Sequence, residues 1–203
     1  MNRLVSPHEP AEGCAATEPD FAIRFAARAD LRAIYEMIGE LATFERLTHL
    51  FVASEEQLDA ALFGPRPAAE VLIATKEGAI AGFALYFPSF STFLGRPGLW
   101  LEDLFVRPAF RGQGCGRALL RSLASIALQR GCGRFEWAVL DWNSHAIQFY
   151  RQLGANVLAD WRIVRVTGEA LATLGAGSPG VSEGVSALAH APELAAAKAA
   201  GRE

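Results

Sequence analysis

The chain has 203 residues, 51% of them hydrophobic and 20% charged, with a formal net charge of −3. That supplies one domain with a substantial core rather than two full domains, and a mildly acidic balance is poor footing for nucleic acid, which calls for a basic face. Three cysteines without a C-x-x-C pair indicate neither a disulfide framework nor a zinc site, and no run of about 18 apolar residues is present to span a membrane. The expectation is therefore a soluble protein of a reducing cytoplasm, with no metal.

Residues 1–20 carry three prolines and scattered charge without a period, the pattern of a disordered leader. Residues 21–25, FAIRF, alternate like a strand, and Asp30 is placed to cap a helix in which Leu31, Ile34, Tyr35, Ile38, Leu41 and Ala42 recur at helical spacing. That helix should end near Phe44 and Glu45. Ser54, Glu55, Glu56 and Gln57 form a capping box opening a short helix to Phe63, stopped by Gly64 and Pro65. Residues 70–75 and 79–87 read as two strands joined at Lys76, Glu77 and Gly78, a hairpin signal. After a loop containing Gly95, Pro97 and Gly98, residues 99–106 read as a third antiparallel strand.

That strand carries Glu102 and Asp103 side by side among apolar residues. Neighbours on a strand point to opposite faces, and a desolvated carboxylate needs a partner, water or a ligand. Glu102 is the one expected to reach a cleft, as a base or a substrate anchor, with a buried ion pair as the alternative. Asp103 is expected to point away and serve the structure.

The loop that follows has glycines at 112, 114 and 116 between Arg111 and Arg117, and leads into the helical pattern Ala118, Leu119, Leu120, Leu123, Ile126, Ala127. Bare backbone amides at a helix start, flanked by guanidinium groups, suit phosphate oxygens, although a plain flexible connection would also use glycine. A P-loop is excluded because no Lys follows Gly116. The dinucleotide fingerprint is excluded because its first glycine would arrive too late after the strand. Beyond this helix, residues 135–140 form a compact strand, Asn143 caps a helix reaching Leu153, and residues 161–166 read as a strand closing the sheet. Strand, helix, strand around the glycine loop implies two parallel neighbours in an otherwise antiparallel sheet. From residue 175 onward Gly, Ala, Ser and Pro dominate, as in a flexible tail, with residues 192–200 a candidate short helix.

The run Arg111, Gly112, Gln113, Gly114, Cys115, Gly116 resembles the R/Q-x-x-G-x-G/A signature of the GCN5-related N-acetyltransferases, the GNAT family. LATFERL at residues 41–47, WLEDLFV at 100–106, AVLDWN at 138–143 and FYRQLGA at 149–155 resemble its diamine and thialysine N-acetyltransferase branch. The resemblance covers about residues 21–174. It implies an α/β fold of the GNAT type: a mixed, mostly antiparallel central sheet with a splayed parallel strand pair, flanked by helices. It also implies acetyl-CoA as cosubstrate, a small-molecule primary amine as acceptor, direct acetyl transfer and a homodimer.

By the same resemblance, Leu104, Phe105 and Val106 offer backbone groups to the acetyl and pantetheine portion. Arg111, Gly112, Gln113, Gly114, Cys115, Gly116 and Arg117 hold the pyrophosphate, and Asn143, Ala146 and Tyr150 complete the coenzyme site. Tyr150 is the general acid for the leaving thiolate, where the residues alone would read it as a core aromatic. Phe44, Glu45, Glu102, Glu136, Trp137 and Ala138 border the amine, although taken alone Phe44 reads as packing and Glu45 as solvated. Cys115 has no neighbouring base, which favours direct transfer over an acetyl-cysteine. Three departures bear on the acceptor: the hairpin at residues 76–78 is tight where the branch often carries an insertion, Ala155 follows Gly154 where Phe is common, and Phe44 lacks the hydroxyl of spermidine-preferring relatives. A peptide N-acetyltransferase and a non-catalytic acetyl-CoA sensor stand as alternatives.

Overall fold

The structure, a computed structural model, describes residues 21–178; the expected leader, most of the tail and the short helix at residues 192–200 lie outside the described residues. The chain divides into two compact units between Ser144 and His145.

The first unit is built on a five-stranded sheet in the order β1 (Ala22–Phe25), β2 (Glu70–Lys76), β3 (Ala79–Ser91), β4 (Arg96–Val106), β5 (Arg134–Trp137). The first four strands run antiparallel and β4 pairs parallel with β5. A parallel pair cannot be joined by a tight turn, and the crossover is made by helix α3 (Cys115–Gln129). One face of the sheet is covered by α1 (Leu31–Glu45) and α2 (Glu55–Phe63), whose Ile34, Met37, Leu41 and Leu62 pack on Val71, Ile73, Phe83, Leu85 and Phe105. Alternate strand residues Leu72, Ala84 and Tyr86 are buried on the other face, with Leu119 and Leu123 of α3. Each such fully buried aliphatic side chain contributes about 1.5–3 kcal/mol. Burial therefore fixes both layers against the sheet.

Local chemistry explains the element ends. Ser54 Oγ accepts from the Gln57 amide while Gln57 Oε1 accepts from the Ser54 amide, the reciprocal cap expected of that sequence. Lys76 faces Ala79 across a two-residue turn in which Glu77 and Gly78 have φ of 51° and 80°. Two positive φ angles match the twist of a hairpin. At the far end of α3, the Arg130 guanidinium makes two bonds to Glu70, at 2.5 and 2.7 Å, and the Tyr86 hydroxyl donates to the same carboxylate at 3.2 Å. This ties the end of the helix to β2 and β3. Burial and the Glu70 charge push the Tyr86 hydroxyl far above its ordinary range.

Four expectations need correction. β3 and β4 are longer than expected, because Pro97 and Gly98 lie within the ladder opposite Phe90 and Ser89. β5 stops at Trp137 rather than running to Leu140, so Ala138 is outside it. Asp30 does not cap α1. A short 3-10 turn precedes the helix, and the Asp30 carboxylate instead accepts from the Ala27 amide at 2.8 Å and from both terminal nitrogens of Arg24 at 2.7 and 2.8 Å. Residues 161–166 form no strand. Their aromatic and β-branched content is compatible with one, but a strand exists only where a ladder is made, and the bonds recorded here are local. The Trp161 amide bonds back to Leu158, and the Arg162 guanidinium donates to the carbonyls of Ala159 and Trp161. Among the described residues beyond Asn143 the regular elements are α4 (Ser144–Gln152), which begins at the residue after Asn143, and α5 (Gly168–Ala176), for which the sequence pattern offers no clear signal.

Asp30 is 7% exposed and its carboxyl is held below the usual range, chiefly by the Arg24 hydrogen bonds. A depressed carboxyl stabilises the fold above its unfolded value near 3.9 and loses that contribution as pH falls through the lower folded value. Asp30→Asn should cost about 1–2 kcal/mol at pH 7, allowing for the exposure of Arg24, and less at pH 3. Urea denaturation at the two pH values measures the difference.

Candidate active site

The site begins with a surplus residue. From Gly82↔Val106 to Leu85↔Asp103 the antiparallel register of β3 and β4 is regular, but the next partners are Tyr86 and Leu101. Glu102 is therefore an extra residue on β4, a β-bulge that bends the strand and breaks its alternation. The parallel ladder with β5 ends at Leu101↔Trp137, immediately before it. β4 runs on through Leu104, Phe105 and Val106 while β5 stops, so the two strands part at the bulge. This is the splayed parallel pair.

Glu102 is exposed and its carboxylate accepts from the Trp100 indole N–H at 2.9 Å. Asp103 stands opposite Leu85 and hence on the face covered by α1. Its carboxyl is pushed up to about 6, first by desolvation and then by the charges of Glu102 and Glu45. Glu45, at the last residue of α1, is also raised by burial. The charges of Glu102 and Glu45 thus both bear on Asp103. The signal that would have found Asp103 is a bulge, and a bulge follows from pairing with another strand.

Beside them lies a cavity of about 310 Å³ lined by Glu40, Thr43, Phe44, Phe105, Pro108 and Arg111. Arg111 does not extend over the glycine loop: its guanidinium carbon is 5.0 Å from the centroid of Phe44 and 5.4 Å from that of Phe105, and its Nε donates to the Val106 carbonyl at 2.8 Å. Trp142 packs on Phe44 with ring centroids 5.8 Å apart. Glu40 and Thr43, which line the cavity, and Trp142, which packs on Phe44, are residues that sequence reasoning misses, since only the fold brings them together. Glu40 also holds Arg107 at 3.1 Å. Elsewhere on β5, Glu136 pairs with Arg134 at 2.6 Å, and Trp137 stacks on Phe135 at 4.9 Å.

The glycine loop keeps its face open. Gly112 and Gly114 have φ of 74° and 90°, and a Cβ on either would meet nothing within 4 Å. Gly114 is the residue from which α3 starts, and Cys115, Gly116 and Arg117 form its first turn. The first amides of a helix lack intrahelical partners and carry the positive end of its dipole, so this surface fits a phosphate or pyrophosphate. Gln113 braces the loop: its amide donates to Ala109 at 2.9 Å and its oxygen accepts from Lys76 at 3.0 Å. Cys115 is buried beneath it, and burial pushes its thiol up to about 11, which keeps it protonated and poorly nucleophilic. Asn143 donates its amide to Leu140 at 2.9 Å. In the second unit, Ala146 and Tyr150 are half-buried on α4, with Tyr150 stacked on Phe149 at 5.5 Å.

A mixed sheet opened by a bulge beside an anion-ready helix start is the framework of an enzyme that takes its acyl group from a phosphate-bearing carrier. The model of the acetyltransferase (GNAT) family matches residues 31–155, and the chain belongs to that family. It is an N-acetyltransferase, similar to enzymes of that activity. It is 41% identical over 163 residues to a thialysine N-epsilon-acetyltransferase of Mus musculus, covering 75% of this chain and 95% of that one. It is 36% identical over 194 residues to an L-ornithine N5-acetyltransferase of Arabidopsis thaliana, covering 73% and 85%. Among solved structures, an integron cassette protein from the mobile metagenome of V. cholerae superposes with a TM-score of 0.65 at 26% identity, over 77% of this chain and 98% of that one. Acetyltransferases of the family use acetyl-CoA as cosubstrate, and the open loop at Gly112 and Gly114 fits its pyrophosphate. Among the described residues no helix is long and apolar enough to cross a membrane.

An acid whose folded value is raised above its unfolded one stabilises the fold below about pH 4 relative to high pH, and that advantage is lost as pH rises through 6. Asp103→Asn should therefore raise stability by about 2 kcal/mol at pH 8 and leave it nearly unchanged at pH 4. Thermal denaturation at the two pH values, with no ligand added, measures it.

Proposed function

We propose that the chain transfers the acetyl group of acetyl-CoA directly to a primary amine of a small molecule, either an amino-acid-like diamine such as thialysine or ornithine, or a diamine or polyamine. The observation that carries this reading is the bulge at Glu102: at one point it parts β4 from β5 and sets Asp103 on the face covered by α1, within reach of the Glu45 charge. Uncompensated carboxylates beside aromatic rings suit a cationic alkyl chain better than a peptide backbone. The relatives that act on thialysine and ornithine support the same class, and Phe44, without a hydroxyl, weighs toward the amino-acid-like amine.

In this reading Gly112, Gln113, Gly114, Cys115, Gly116 and Arg117 hold the pyrophosphate through backbone amides. The backbone of Leu104, Phe105 and Val106, on the part of β4 that β5 no longer pairs, takes the pantetheine arm as a sheet edge would. Asn143 and Ala146 line the coenzyme. An alkylammonium with a pKa near 10.4 must lose a proton before it attacks the thioester carbonyl; Glu102 receives that proton, directly or through water, while Glu45 anchors the distal charge and Glu136, Trp137 and Ala138 border the acceptor. The amine nitrogen bonds to the acetyl carbon, the carbon–sulfur bond breaks, and the departing thiolate takes the phenolic proton of Tyr150. The family resemblance extends the proposal to a cytoplasmic homodimer.

Thiol release from acetyl-CoA, measured against thialysine, ornithine, spermidine, putrescine, lysine and a peptide, should be fastest with one of the small amines; a peptide preference would reverse the assignment. Tyr150→Phe should lower kcat about 100-fold while coenzyme affinity stays within twofold. Activity retained within a factor of two would remove the general-acid role.

A further inference from the structure

Arg111 stands on ground claimed by two ligands. Its position opens the glycine loop that is proposed to hold the coenzyme phosphates, yet its guanidinium rests against the rings of Phe44 and Phe105, at 5.0 and 5.4 Å, inside the mouth proposed for the amine. Guanidinium and alkylammonium are the same kind of occupant for an aromatic face, a cation on an apolar stem. Among the described residues no carboxylate pairs with Arg111, whereas the neighbouring Arg107 is held by Glu40 at 3.1 Å and approached by Glu36 at 3.8 Å. The remaining tie of Arg111 is one bond to the Val106 carbonyl. A cation held only by two rings and a carbonyl is readily exchanged for a phosphate, with which a guanidinium forms paired charge-assisted bonds. The side chain is exposed and directly precedes Gly112, so rotation about its own bonds carries it toward the loop without unfolding anything.

We propose that Arg111 is an internal stand-in for the substrate's ammonium group: without coenzyme it covers Phe44 and Phe105, and coenzyme phosphate draws it to the glycine loop and frees the rings for the amine. This rests on the reading of the chain as an acetyl-CoA-dependent amine acetyltransferase, and adds an order of binding to it, coenzyme first. The coupling is reciprocal: whatever factor the coenzyme adds to amine affinity, the amine adds to coenzyme affinity. Displacing one cation from two rings corresponds to about a fivefold to tenfold change.

The test uses the full chain, coenzyme A as the free thiol so that no acetyl group can transfer, and titration calorimetry with thialysine, ornithine or spermidine, whichever the wild-type complex takes up most tightly. Wild type should bind that amine about tenfold more tightly when saturated with coenzyme A. Arg111→Ala should bind it without coenzyme as tightly as wild type does with it, leaving a coupling factor within twofold of one. Arg111→Gln, which keeps a polar chain but no charge, should behave the same way, so the result does not hang on one variant. Wild-type coupling retained in both variants, or absent from the wild type, overturns the proposal. Failure of the wild type to take up coenzyme A, or any of the three amines, is a different result: it removes the underlying reading, and the stand-in role with it.

Discussion

One residue more on β4 than β3 can pair is the constraint from which the site descends. Because Leu85 faces Asp103 while Tyr86 faces Leu101, Glu102 has no place in the ladder and the strand must bend there. The bend ends the parallel ladder with β5 at Trp137, exposing a stretch of β4 backbone beside the loop that leads into α3. It also resets which residue looks toward α1. Without the surplus residue, β5 could continue beside β4 and the strand's alternation would be unbroken. The parting of β4 from β5 and the approach of Asp103 to the Glu45 charge are two products of one misfit in register.

The acids themselves show how surroundings decide what a carboxylate does. Asp30 and Asp103 are the same residue type, and both are shielded from water. Asp30 meets an Arg24 guanidinium and a backbone amide, so its charge is compensated and it acts as a clasp between β1 and the start of α1. Asp103 meets two further negative charges, and its ionised form is disfavoured. An arrangement that the fold does not neutralise by itself is complementary to a positively charged ligand, which would restore the balance on binding. The rings of Phe44 and Phe105 extend the same preference, and a cation of the chain's own already answers it.

Features fixed by a few consecutive residues are legible in the sequence alone: the Ser54–Gln57 cap, the Glu77–Gly78 turn, the glycine loop opening α3, and the extent of α1 to Glu45. Each follows from local hydrogen bonding or backbone freedom. What is not legible depends on partners far along the chain. The bulge needs β3 and β4 aligned before the surplus residue exists, and with it come the turning of Asp103 and the early end of β5. Trp161, Ile163, Val164 and Val166 have a strand's composition without a strand's partner, and turn bonds around Leu158 and Arg162 take its place. Asp30 sits where a cap belongs, but Arg24, brought near by β1, offers its carboxylate a better bond. The position of Arg111 is equally hidden, since nothing in R-x-x-G-x-G says that Phe44 lies within its reach.

The bonds from Arg130 to Glu70, with Tyr86 donating to the same carboxylate, anchor the end of α3 to two strands at once. The helix is a rod riveted to the sheet at its tail, while its head emerges from a loop of glycines with open space around them. Removing the Arg130 guanidinium would therefore cut two ties between the tail of the helix and β2 while leaving the bonds at its head in place.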